Sequence, residues 1–183
     1  RVKTRLAKKI GEGAALELYI QLLDHVIQVA KQIEVVREIH YSEFIPQEQA
    51  MAGFHQKLQK GKDLGERMAQ AFWEGFQQGY KQIVLMGSDL PDLSPEDLQQ
   101  AFSALDTKDQ VLGPALDGGY YLIGMKSLNS ELFEHISWGS SSVLKETLEK
   151  LNNNKTCLLE KRRDLDTYED LLAFPQFRQF QKH

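Results

Sequence analysis

The amino-acid sequence predicts an α/β domain built on a mixed, mainly parallel sheet. Two observations carry this. Short apolar, β-branched runs alternate along the chain with amphipathic segments of helical period, the order that produces strand–helix–strand units. One pair of apolar runs is joined instead by Asp117-Gly118-Gly119, a short hairpin signal, so at least one strand pair is antiparallel.

Each element has its own justification. Residues 13–33 set Leu16, Tyr19, Ile20, Leu23, Val26, Ile27 and Ala30 at steps of three and four, which predicts a helix packed by that face. The run EVVREIHY at 34–41 is rich in β-branched residues and reads as a strand. Residues 42–62 are polar and irregular, closing on the loop-like QKGKD. LGERMAQAFWEGFQQ predicts a second helix over 64–78, with Gly79 where a left-handed residue ends a helix. QIVLMG at 82–87 reads as a strand. Ser94-Pro95-Glu96-Asp97 is a helix start, with a hydroxyl to cap, Pro in the first turn and an acid three residues on; that helix runs to about Leu105. DQVLGPA and YYLIGM are the strands around the hairpin turn. A helix at 140–152 stops at Asn152-Asn153-Asn154, KTCLLEK is the last strand, and Thr167 to Asp170 caps a final helix. No repeat, low-complexity segment or linker interrupts this order, so residues 1–183 read as one domain.

Composition bounds the function. With 42% apolar and 26% charged residues and a net charge of −4, the chain is an ordinary globular one and lacks the clustered basic excess of a nucleic-acid binder. No apolar run approaches membrane-spanning length, so no membrane partner is expected. Cys157 is the only cysteine, which excludes an internal disulfide and a cysteine metal site and fits a reducing, cytoplasmic setting. The five histidines show no metal-ligand spacing. The chain opens on RVKTRL without an initiator Met, and the expectation is that the natural sequence begins further upstream. Oligomeric state is left open.

The chemistry concentrates at strand ends, where open α/β sheets bind their ligands. Asp89 follows the strand QIVLMG directly, with Gly87 and Ser88 before it and Pro91 stiffening the exit. Two readings stand side by side: a carboxylate held at a cleft, or an Asp that serves its own turn. VLGPALDGGYYLIG repeats the form, with Asp117 in a Gly-rich loop and Gly118 and Gly119 bare where a phosphate or sugar could lie against the backbone. Asp-Gly also suits hairpins for conformational reasons alone. Two carboxylates at neighbouring strand ends form a hard-ligand site suited to Mg²⁺ or Mn²⁺. Opposite charge comes from Arg1, Lys3, Arg5, Lys8 and Lys9, whose alternative is a solvated chain end. Asp63, Gly65, Glu66 and Arg67 lie at a loop-to-helix junction and offer a second anion site, or only favourable helix-dipole placement. Ser140, Ser141 and Ser142 read as a helix start, since no Ser-His-Asp arrangement accompanies them. Trp138 reads as a core residue, with stacking on a base or sugar as the alternative.

VKTRLA, DLGERM, VLMGSDLPDLSPEDL, VLGPALDGGYYLIG, ISW at 136–138 and DLDTYEDL stand in one order over nearly the whole chain. Together they resemble a bacterial family of glycosyltransferase-A-like proteins, long labelled a domain of unknown function. Its members are often described as nucleotide-diphospho-sugar transferases or arsenosugar-biosynthesis-type glycosyltransferases. The resemblance implies a three-layer α/β/α fold of the nucleotide-diphospho-sugar transferase kind. It implies that a first strand and a short phosphate loop precede VKTRL, so both are expected to be missing from the N-terminus of this chain. It also places Lys3 and Arg5 toward a diphosphate, Asp89 at the position of a metal-binding Asp-x-Asp motif and Asp117 across the donor-sugar pocket. GSDLPD departs from that motif, because Gly occupies position 87 and the next acid is Asp92. Asp117 or Asp166 then completes the metal site, or water fills it.

The function expected is a metal-dependent glycosyltransferase moving a sugar from a nucleotide diphosphate donor to a small acceptor. Its candidate set is Asp117 as catalytic group, Asp89 as ligand to Mg²⁺ or Mn²⁺, and Arg1, Lys3, Arg5, Gly87, Ser88, Gly118 and Gly119 around nucleotide and substrate. The alternatives are a nucleotidyltransferase that joins a nucleotide to a phosphorylated small molecule, and a nucleotide-binding protein without catalysis.

Overall fold

Caps and glycines punctuate the chain, and most fall where the sequence expects them. The computed structural model describes residues 2–46 and 51–181. Helix α1 (Thr4–Ile10) ends at Gly11, whose φ of 90° turns the chain directly into α2 (Glu12–Lys31). Strand β1 (Glu38–Tyr41) pairs in parallel with β2 (His55–Leu58). Asp63 caps α3 (Leu64–Gln77) by accepting from the Glu66 N–H. Gly79, at φ 90°, closes α3 with the Gly79 N–H on Phe76 O and the Tyr80 N–H on Gly75 O, the paired bonds of a Schellman end. After β3 (Ile83–Met86), the Ser94–Asp97 capping box opens α4 (Pro95–Thr107). Strands β4 (Gln110–Pro114) and β5 (Tyr120–Met125) follow, then α5 (Val143–Glu149) and β6 (Thr156–Leu158). A second capping box, Thr167–Asp170, starts α6 (Tyr168–Leu172).

The larger sheet has the order β3-β5-β4-β6. The hairpin makes β4 and β5 antiparallel as expected, and the returning β5 also lies antiparallel to β3. The parallel pairs are β4 with β6 and β1 with β2. Alternation along the strands feeds two cores. Val111 and Leu122 join Val26 and Val29 of α2 and Leu98, Ala101 and Leu105 of α4. Leu112 and Ile123 point the other way, to Phe72 of α3 and to Leu132 and Phe133. Helices therefore cover both sheet faces, giving the three-layer α/β/α arrangement. Each large side chain buried this way contributes ~1.5–3 kcal/mol. A third cluster joins Leu6 and Ile10 of α1, Leu18 and Leu22 of α2, and Leu165, Leu171 and Phe174, and so locks the chain start against its end.

Two expectations are corrected. The buried face of α2 runs through Ala15, Leu18, Leu22, Val26, Ile27 and Ala30, whereas Leu16 and Ile20 are about half exposed. The helix carries two overlapping apolar stripes, and the first half packs by the one that includes Ala15 and Leu18, against α1. Residues 55–58, read as irregular, form β2. HQKL has no apolar alternation to betray a strand, and only the β1 backbone defines it.

Candidate active site at the strand ends

Four segments converge beyond the ends of β3 and β4: residues 2–5, 87–94, 115–119 and 162–166. Backbone bonds fix them together. The Leu165 N–H donates to Asp89 O at 2.9 Å, the Leu116 N–H to Arg162 O at 2.9 Å and the Arg162 N–H to Pro114 O at 3.0 Å. The Gly87 N–H continues the ladder onto Tyr121 O at 2.9 Å, so Ser88 and Asp89 start where β3 stops. Buried Leu90 and Leu93 then anchor the loop in the core, and His25 contacts Leu93 O at 2.9 Å.

Asp89 does not merely serve its own turn. Its Oδ2 lies 2.9 Å from Lys3 Nζ, and its Oδ1 accepts from Ser88 Oγ at 3.2 Å. Lys3 is turned into the protein, its side chain 3% exposed, and also donates to Leu165 O. Its backbone is left-handed at φ 49°, an unfavourable conformation for lysine that this set of partners holds in place. Lys3, expected toward a diphosphate, faces Asp89 here, with Asp166 Oδ1 3.9 Å away. Arg5, with its side chain 70% exposed, is the open cation beside it and contacts Asp166 Oδ2 at 3.2 Å. Arg1 lies outside the described residues.

Asp92, the second acid of GSDLPD, is committed elsewhere. Arg162 donates to Asp92 Oδ2 at 3.1 Å, to Asp92 O at 3.2 Å and to Asp97 Oδ1 at 2.6 Å. Burial works against the Arg162 charge, yet the paired Asp97 and Asp92 hold its pKa above the ordinary value. Arg162, the basic residue that staples this loop, is not among the residues singled out from the sequence, and no spacing marks it.

In the hairpin, Asp117 Oδ1 accepts from the Gly119 N–H at 2.8 Å, so one oxygen serves the turn while the carboxylate stays exposed. Gly118, at φ 94°, faces the next loop and not an open groove: a Cβ there would collide with the Ser141 carbonyl. The missing side chain at Gly118 thus makes room for the Ser141 backbone. Beside Gly119 a Cβ would meet only the Asp117 carboxylate, at 3.2 Å or more. Asp164 joins the group from the last segment. Burial, the Asp117 carboxylate and the Asp170 carboxylate push it up to about 6, against the pull of Lys3. It sits within DLDTYEDL, but nothing in the spacing marks it.

The side chains at the loop-to-helix junction are engaged within the protein. Asp63 caps α3, Glu66 Oε2 accepts from the Lys62 N–H at 2.9 Å, and Arg67 Nε donates to Gly61 O at 3.2 Å. Gly65 instead admits Trp138, which packs with the Phe72 core, as its core reading expects.

The acids also fit a divalent metal poorly. Among the described residues no group of three or more His, Cys, Asp or Glu is placed to hold one. Both Asp89 oxygens have partners, Asp166 is shared by Arg5 and Lys3, and Asp92 and Asp97 answer Arg162.

This sheet order, with helices on both faces and acids at the strand ends, is the nucleotide-diphospho-sugar transferase fold. Among solved structures the chain is similar to a "putative nucleotide-diphospho-sugar transferase" from Desulfovibrio desulfuricans G20, with 35% identity, 96% of this chain and 81% of that one covered, and a TM-score of 0.89. Residues 23–140 match the family described as "Uncharacterized protein conserved in bacteria (DUF2064)", and the chain belongs to that family. Likeness of fold alone extends to Rv0371c from Mycobacterium tuberculosis H37Rv, at 16% identity, 86% and 84% coverage and TM-score 0.60. It extends also to 4-diphosphocytidyl-2C-methyl-D-erythritol synthase, at 12% identity, 86% and 87% coverage and TM-score 0.54. Among curated proteins none matches. No helix among the described residues is long and apolar enough to cross a membrane.

Proposed function

We propose that the protein is a glycosyltransferase that moves a sugar from a nucleotide diphosphate donor to a small acceptor at these strand ends. One observation carries the reading. The exposed groups of the converging loops, Arg5, Asp89 and Asp117, stand at the ligand-binding end of a sheet whose 35%-identical relative bears the nucleotide-diphospho-sugar transferase description. Arg5 reaches the diphosphate and stabilises the charge that grows on it as the glycosidic C–O bond breaks. Gly87 and Ser88 let the donor approach the β3 end closely. Asp117 offers its remaining oxygen to the acceptor hydroxyl. That hydroxyl attacks the anomeric carbon, its proton passes to Asp117, and the bonding electrons leave with the nucleoside diphosphate.

A nucleotidyltransferase reading draws on the fold likeness to the diphosphocytidyl synthase, which at 12% identity is a likeness of fold alone. The released product separates the two. Nucleoside diphosphate from an NDP-sugar supports glycosyl transfer, and pyrophosphate from an NTP with a sugar phosphate supports the other. In the active pairing, Asp117→Asn lowers kcat by about 10²–10⁴-fold while the donor KM changes little. An unchanged kcat removes Asp117 from proton transfer.

A further inference from the structure

We infer that the resident cation of the strand-end site is the Lys3 ammonium, and that ligand binding there needs no divalent metal. The ligand class rests on the nucleotide reading proposed above; the charge arrangement does not. Lys3 Nζ is the cation that Asp89 already has, 2.9 Å from its Oδ2. It is tethered there: its stem is buried, Leu165 O accepts from it, and Asp166 adds a second carboxylate at 3.9 Å. A metal drawing Asp89 away would leave the buried ammonium with Leu165 O and the more distant Asp166 only, next to a dication. Most of the other acids are engaged too: Arg162 holds Asp92 and Asp97, Arg5 and Lys3 share Asp166, and the turn holds one oxygen of Asp117. Mg²⁺ usually keeps several waters and binds through one or two carboxylates, and at the β3 end both oxygens of the candidate carboxylate, Asp89, already have partners.

The pair has a consequence for an anionic ligand. Lys3 offsets the charge of Asp89, so a diphosphate meets less negative charge at the end of β3. The exposed Arg5 then provides the positive group it meets. Lys3 is a positioning residue: it acts through Asp89 and through the 164–166 segment it ties to β3.

The test is a Mn²⁺ titration followed by electron paramagnetic resonance, on the wild type, Asp89→Asn and Lys3→Met. Nucleoside diphosphate and NDP-sugar binding is measured alongside, in EDTA and in Mn²⁺. Wild type and Asp89→Asn are expected to take up Mn²⁺ equally weakly, whereas Lys3→Met frees Asp89 and Asp166 and gains affinity by about tenfold or more. Nucleotide affinity is expected to differ by less than about twofold between EDTA and Mn²⁺. A wild-type Mn²⁺ site lost in Asp89→Asn, or nucleotide binding that requires Mn²⁺, overturns the inference. If Lys3→Met does not fold, the wild type and Asp89→Asn still decide it. If no nucleotide binds under either condition, the nucleotide reading falls, and the Mn²⁺ titration alone decides the role of Lys3.

Discussion

Asp89 and Asp164 answer to different physics although Leu165 links their segments. Asp89 is half exposed and paired with an ammonium, while Asp164 is half buried beside two like charges. The sign for Asp164 follows from linkage. Its folded pKa, about 6, lies above the ordinary carboxylate value of 3.8, so between these values the folded state binds more protons than the unfolded one. Stability therefore falls as pH rises through that window, and the charged Asp164 costs most above pH 6. Asp164→Asn is expected to be more stable than wild type at pH 7.5, by about 1 kcal/mol after discounting for solvent screening, or ~2–4 °C in Tm. The gain shrinks toward zero near pH 4. Thermal unfolding at both pH values checks this, and an equal gain at both contradicts it. The position of Asp89 and Asp117 at strand ends was legible in the sequence, because an apolar run followed by Gly or a turn residue marks where a strand stops. The long-range partners in this loop were not: Lys3, which meets Asp89, and Arg162, which meets Asp92 and Asp97, lie far away along the chain, and only the folded topology brings them in.

Elements whose ends are chemically marked were the legible ones. Ser94-Pro95-Glu96-Asp97 and Thr167–Asp170 form complete capping boxes, and Gly79 closes α3 as its position implies. Ser94 does more than cap, since its Oγ and N–H both contact Asp97 Oδ2, whose other oxygen holds Arg162. Ser94→Ala is expected to cost about 1–2 kcal/mol, the upper half of the range for a lost cap, read as ~2–8 °C in Tm. A loss below a few tenths of a kcal/mol would deny Ser94 that role. The illegible elements lack such marks. Strand β2 is four mostly polar residues recognised by β1 alone, and α2 offers two apolar stripes between which periodicity cannot choose. There packing against α1, itself unrecognised as a separate helix, decides.

At the scale of the molecule, Arg162 is the point through which the site holds together. Its backbone bridges to Pro114 and Leu116 of the hairpin, and its guanidinium fixes Asp92 of the β3 loop and the 4%-exposed Asp97 in the first turn of α4. Arg162→Met leaves Asp97 buried without its cation and is expected to cost about 3–5 kcal/mol in denaturant unfolding. Adding Asp97→Asn should recover part of that loss; strict additivity of the two changes contradicts the coupling. The fold class was legible from the alternation of elements and from the family motifs, whereas this loop-to-loop wiring is a property of the assembled sheet.

The most direct measurement is a thermal-shift titration of NDP-sugars against the wild type and Arg5→Ala. A binding NDP-sugar at about 100 times its Kd is expected to raise Tm by ~5–10 °C in the wild type and clearly less in the variant. No shift with any NDP-sugar, or the same shift in both proteins, contradicts a nucleotide-diphosphate site at these strand ends.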